Sequence, residues 1–190
     1  MPDNTHAETG TGLLLAAGAS RRFGTGNKLL AALNGRPLIA HAAEALRALP
    51  LARRIAVIST AEIAPHLAGF QLIRIPQGEQ SDSLRAGLAA AGLTDRLLIT
   101  LGDMPLVTPD LLVRVLGRCT DALPAASRQG DGPAMPPACF PRSWLALLEG
   151  LTGDQGAGRL LRDLPDAQII QAGDQLTDID TQDALARLQG

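Results

Sequence analysis

The feature that most restricts the fold is a set of short apolar runs, each cut off by a turn residue, alternating with stretches of helical periodicity. Gly12 to Ala17 (GLLLAA) ends at Gly18, and Arg96 to Leu101 (RLLITL) ends at Gly102 and Asp103. Runs this short and this solidly apolar belong to strands buried on both faces. Arg54 to Thr60 and Gln71 to Ile75 are two further strands, and Gln168 to Ala172 is another. Pro37 opens a helix in which Leu38, Ala42, Ala45, Leu46 and Leu49 share one face until Pro50 stops it. A short helix is expected over Ala61 to Ala68, and a longer one over Ser83 to Ala91 despite Gly87. Thr108-Pro109-Asp110 is a helix start with a hydroxyl cap, a proline at the first position and an acid in the first turn. Ser143 to Leu148, Ala157 to Leu164 and the stretch from Thr181 complete the helices, whereas Thr120 to Pro137, rich in Pro, Gly and polar residues, reads as loops around weaker strands. The pattern predicts an α/β fold of three layers with a mostly parallel sheet. Ligands bind such sheets beyond the carboxyl ends of the strands, so the chemistry belongs just after strands.

Composition narrows the partners. The 190 residues carry 17 basic and 19 acidic side chains, a formal charge of -2, so no general field draws the chain to nucleic acid or to anionic lipid. Three Phe, one Trp and no Tyr leave little material for stacking single-stranded bases. The opening MPDNTHAETG has neither the basic nor the apolar region of a secretory signal, and no apolar run approaches the roughly 20 residues of a membrane helix. The expectation is a cytoplasmic protein without membrane or nucleic-acid partners: residues 1–10 form a flexible leader and 11–190 one domain. His6, His41 and His66 share no metal-ligand spacing, and Cys119 and Cys139, with no nearby partner in sequence, are expected as buried small hydrophobes. Sixteen of the basic residues are Arg, and Lys28 is the one lysine.

Lys28 falls in the first of four segments with chemical content. Leu13 to Leu30, LLLAAGASRRFGTGNKLL, turns a strand into a glycine-punctuated loop with two arginines and the lysine, suited to phosphate oxygens. It is not a Walker loop, since no Gly-Lys-Ser/Thr stands at the required spacing, and Gly10-Thr11-Gly12 precedes the strand instead of following it. Leu101-Gly102-Asp103-Met104-Pro105 presents an acid at a strand end, where a carboxylate can hold Mg²⁺ together with substrate phosphates. Asp178 and Asp180 lie two apart, on one face if extended; either could serve a metal, with Asp180 preferred, and the same stretch could instead cap the helix that follows. Ser81, Ser83 and Arg85 sit at a helix start, where hydroxyls serve either a polar ligand or a cap.

Ala16-Ala17-Gly18, Ser20, Arg22, Gly24 and Lys28-Leu29-Leu30 resemble the signature loop of nucleotidyltransferases of the molybdopterin nucleotidyltransferase kind. GDMP at Asp103, SLRAG at Ser83, PPACFP from Pro136, TGDQGA from Thr152 and DIDT ending at Thr181 follow in the same order, and the likeness is nearest to molybdenum cofactor cytidylyltransferases. Departures are Phe23 in place of methionine, Met135 in place of glycine, and Gly158, which sets Arg159 one place late. The resemblance implies a Rossmann-like, GT-A-like nucleotidyltransferase fold, with Leu15, Ala16, Ala17, Gly18, Ser20, Arg22, Lys28, Ser81, Ser83 and Arg85 on the nucleotide. It also implies Lys28, Arg22 and Asp103 as catalytic residues, and Mg²⁺ on Asp103 with Asp178 or Asp180. The implied reaction moves CMP from CTP to the terminal phosphate of molybdopterin, with a molybdoenzyme or its maturation factor as the eventual client. GTP in place of CTP, a sugar or polyol phosphate as acceptor, and a non-catalytic carrier of the cofactor are the alternatives.

Overall fold

The apolar runs become the middle layer of a three-layer sandwich. This is a computed structural model, and it describes residues 9–18, 23, 24, 26–153 and 156–189. In chain order the strands are β1 (Thr11–Ala16), β2 (Ala32–Leu33), β3 (Arg36–Pro37), β4 (Arg53–Ile58), β5 (Gln71–Arg74), β6 (Arg96–Leu101), β7 (Ala125–Arg128), β8 (Met135–Pro141) and β9 (Ile169–Gln171). The helices are α1 (Leu38–Arg47), α2 (Gln80–Ala91), α3 (Pro109–Arg118), α4 (Leu145–Glu149), α5 (Gly158–Leu161) and α6 (Gln182–Arg187). Seven strands form one sheet in the order β5-β4-β1-β6-β8-β7-β9, and β2 pairs with β3 in a separate hairpin. Only β8 runs against its neighbours, antiparallel to both β6 and β7.

Successive residues of each central strand feed opposite cores. Leu14, Ala56 and Leu98 pack with α1 and α3, while Leu13, Ile55, Val57, Leu97 and Ile99 pack with α2, α4 and α5. Both faces are therefore apolar, which is why β1 and β6 read as unbroken runs. The mostly parallel, doubly covered sheet agrees with the sequence reading.

Three local expectations are corrected. The helix over Ala61 to Ala68 is a 3-10 segment, Ala61–His66, with Pro65 inside it. The helix over Ala157 to Leu164 is one turn, Gly158–Leu161, and the one at Ser143 starts as a 3-10 turn, Arg142–Trp144, before α4. The weaker strands expected within Thr120 to Pro137 are β7 and the start of β8. Among the described residues no helix is long and apolar enough to cross a membrane. Most of the leader lies outside the described residues.

From β1 the chain crosses to β4 and β5 on one side, then returns to place β6 on the other side of β1. The strand order thus reverses between β1 and β6, and a crevice opens there at their carboxyl ends.

Candidate active site

Three side chains from distant parts of the chain converge at that crevice. Asn27 starts a 3-10 turn, Lys28–Leu30: its side-chain oxygen accepts from the Leu29 N–H at 3.0 Å, and its amide donates to the Thr60 hydroxyl at 3.2 Å. This pins the backbone that carries Lys28, which is only 8% exposed. The Lys28 Nζ donates to Asp103 Oδ2 and to Asp180 Oδ1, each at 2.7 Å. These partners lie 75 and 152 residues along the chain from it.

Each acid is positioned by backbone. Gly102 donates its N–H to the Leu15 carbonyl at 2.9 Å, tying the turn after β6 to β1. A Cβ at Gly102 would come within 2.8 Å of the Ile39 Cδ1 atom, so a side chain here would have to push the tip of Ile39 aside. The Ile179 N–H donates to the Asp103 carbonyl at 3.0 Å, and the Ile179 side chain is buried with Phe23, Leu33 and Leu38. With Ile179 facing inward, alternation along this extended segment directs Asp178 and Asp180 the other way. Thr181 caps α6 by accepting from the Ala184 N–H at 3.1 Å, so the capping alternative falls to the threonine while Asp180 bonds Lys28.

Among the described residues, the Lys28 ammonium is held in a pocket of acids. Burial works to lower the Lys28 pKa, but the Asp103 and Asp180 carboxylates outweigh it and hold the ammonium above its usual value. Partial burial, then the charges of Asp180 and Asp103, push the Asp178 carboxyl up, with Lys28 pulling the other way. Asp103 and Asp180 remain 22% and 27% exposed, open to a ligand from the crevice. Their oxygens are hard donors of the kind Mg²⁺ and Mn²⁺ prefer, and Asp178 pays for an excess of negative charge that a divalent ion would relieve. Among the described residues no group of three or more His, Cys, Asp or Glu side chains is arranged as a metal cage.

Beside this cluster a cleft of about 280 Å³ is lined by Ala16, Gly18, Gly26, Asn27, Ser59, Thr60, Glu62 and Gln77. Ala16 and Gly18 were expected here. Asn27, Thr60, Glu62 and Gln77 were not singled out from sequence; each follows a strand or precedes the lysine, which is the positional signal available for them. Glu62 is the one charged residue among these lining groups.

The other expected residues are distributed more widely. Leu15 and Ala17 pack into the core on the α2 side of the sheet. Ser20 and Arg22 lie outside the described residues. Ser81 and Ser83 are buried on α2, but neither caps it: Glu79 does, in a reciprocal pair with Asp82. Arg85 bonds the Ser81 hydroxyl at 3.5 Å and Asp82 at 3.4 Å, both on its own helix. The Ser81 N–H donates to the Gly153 carbonyl at 3.3 Å, so the Thr-Gly turn at Thr152 meets the start of α2; Asp154 lies outside the described residues.

A doubly wound sheet with a lysine and two acids gathered at its switch point defines a protein built to handle a nucleotide and its phosphates. Residues 12–169 match the MobA-like NTP transferase domain, and the chain belongs to that family. Nucleotidyltransferase is the enzyme class this family names.

The bifunctional protein GlmU of Rhodospirillum rubrum is 36% identical over 132 residues, 65% of this chain but 29% of that protein, so the chain spans under a third of this relative. The nicotine blue oxidoreductase of Paenarthrobacter nicotinovorans is 30% identical over 94% of this chain and 95% of its own length. A probable molybdenum cofactor guanylyltransferase of Thermococcus kodakarensis is 29% identical over 74% of this chain and 63% of its own. Among solved structures, Rv0371c of Mycobacterium tuberculosis H37Rv superposes with a TM-score of 0.78 at 27% identity, covering 94% of this chain and 97% of that one. A manganese complex of Rv0371C superposes with a TM-score of 0.74 at 24% identity, covering 95% of this chain and 98% of that one. The fold alone is shared with a nucleotidyl transferase from Methanothermobacter thermautotroptrophicus, with a TM-score of 0.81 at 21% identity over 95% of this chain and 96% of that one.

Proposed function

We propose that this chain transfers CMP from CTP to the terminal phosphate of molybdopterin, releasing pyrophosphate. The observation that carries the reading is the convergence of Lys28, Asp103 and Asp180 at the switch point, two acids and one ammonium where a triphosphate and its metal would sit. A divalent ion held by Asp103 and Asp180, Mg²⁺ first and Mn²⁺ as substitute, supplies charge neutralisation at the α-phosphate. Lys28 and Arg22 offset the charge that grows on the leaving pyrophosphate, a task for which a compact ammonium on a flexible stem is well suited. No general base is required, because a phosphate monoester with second pKa near 6 is already an anion at neutral pH. Ser81 and Ser83 lend a polar wall at the start of α2. The product would pass to a client molybdoenzyme or its maturation factor.

For the base, the cleft lined by Glu62 favours a ring that donates hydrogen bonds. The cytosine 4-amino group can donate to that carboxylate, whereas uracil carries a carbonyl at that position and has only its N3–H to donate. Guanine also qualifies, through its ring N–H and amino group, and relatives named as molybdenum cofactor guanylyltransferases favour this second reading. The test is pyrophosphate release with each of the four NTPs and Mg²⁺, with and without molybdopterin. CTP with molybdopterin is expected to be fastest and UTP slowest. Fastest turnover with GTP would select the second reading, and no release under any condition would replace catalysis by carriage of the cofactor. Lys28→Ala should lower turnover by orders of magnitude while circular dichroism stays unchanged.

A further inference from the structure

Lys28 occupies the position between the two acids that a bridging ion would take. Its Nζ lies 2.7 Å from an oxygen of each carboxylate. Mg²⁺ needs oxygens at about 2.0–2.1 Å, so ion and ammonium cannot both hold that point, and one must displace the other. We propose that Lys28 is the resident counterion of the acid pair and makes the site admit a divalent ion only in company with a triphosphate. This rests on the reading that Asp103 and Asp180 hold the ion.

The argument turns on where the ammonium goes. A hydrated ion arriving alone would displace the ammonium from both carboxylates and set two further positive charges beside it, and bringing like charges together in a largely buried site is costly. An ion arriving on a triphosphate brings the replacement partner with it: the ammonium leaves the carboxylates for phosphate oxygens as the metal takes its place. Asn27 fixes the backbone under Lys28 throughout, so the swing is confined to the side chain. Lysine can make it because its charge sits at the tip of a four-carbon stem, whereas the planar fork of arginine suits one fixed geometry. The exchange makes metal and nucleotide binding mutually supportive, since coupling between two ligands is reciprocal.

The test is Mn²⁺ binding followed by electron paramagnetic resonance, with and without a nonhydrolysable CTP analogue, on wild type, Lys28→Met and Asp180→Asn. Wild type is expected to bind free Mn²⁺ weakly. Lys28→Met should bind it at least tenfold more tightly, and adding Asp180→Asn to Lys28→Met should abolish that gain. Lys28→Gln serves as a second uncharged variant if Lys28→Met does not fold, and Lys28→Arg, which keeps the charge, should resemble wild type. If the uncharged variants bind free Mn²⁺ no better than wild type, while all proteins bind it with the analogue in an Asp180-dependent way, the counterion role is overturned and the metal reading stands. If Asp180→Asn changes Mn²⁺ binding in neither condition, the metal reading itself fails and the counterion role falls with it.

Discussion

Asp178 and Asp180 differ by two positions and by their fates. Asp180 has the Lys28 ammonium as partner, while Asp178 meets the charges of Asp180 and Asp103 and has its pKa raised. A carboxyl whose folded-state pKa is raised favours the fold most when neutral, so its contribution is full below the ordinary value near 3.8 and is lost as pH rises through the shifted value. At neutral pH the ionised side chain therefore opposes folding. Asp178→Asn is expected to raise the melting temperature of the metal-free protein at pH 7, with a gain that shrinks as pH falls toward the carboxylate range. Equal melting temperatures at pH 7 would remove this account. At this scale much of the cluster was legible: Lys28 stood out in an arginine-rich chain, and Asp103 followed a solid apolar strand. What the sequence could not reveal were pairings made by the fold. Cys119 and Cys139 are both buried, as expected, and they fall in the same apolar cluster.

Elements buried on both faces were easiest to read, and those relying on turn chemistry were hardest. The hairpin β2–β3 went unread although Asn34-Gly35, with φ of 51° and 76°, is a strong two-residue turn signal. β8 carries prolines at 136, 137 and 141. The sheet accepts the first two because the register jumps from Ala126 opposite Ala138 to Ser127 opposite Met135, leaving Pro136 and Pro137 in a bulge where no ladder N–H is needed. The Ser127 hydroxyl donates to the Pro137 carbonyl at 2.9 Å and closes that bulge. Gly87 within α2 has an equally local cause: a Cβ there would lie 2.6 Å from a methyl of the fully buried Leu13 on β1. Gly87→Ala would gain about 1 kcal/mol of helix propensity and lose about 1–3 kcal/mol to overpacking. Crowding should win, giving a net loss of about 1 kcal/mol, seen as a melting temperature lower by about 2–4 °C.

For the whole molecule, the layered sandwich and the location of the site at strand ends were legible from the alternation of runs, because burial on both faces leaves so plain a trace. The reversal of β8 and the docking of the last segment onto the β6 turn were not, since both depend on contacts between distant parts of the chain. The assembled site should couple folding to ligand: Mg²⁺ with a CTP analogue at 100 times its dissociation constant should add about 2.7 kcal/mol of stability. That corresponds to a rise of about 5–10 °C in melting temperature, and Mg²⁺ alone should give little of it. Differential scanning fluorimetry would decide this, and equal shifts with and without nucleotide would count against coupled binding.

The large sheet is complete at Gln171, and Asp178 and Asp180 come after it. On the ribosome, every strand of the scaffold has been made before either of those acids has been added. A nascent chain halted there would own the platform yet lack Asp180 beside Lys28, which arrives only with the final stretch, clipped onto Asp103 through the Ile179 amide.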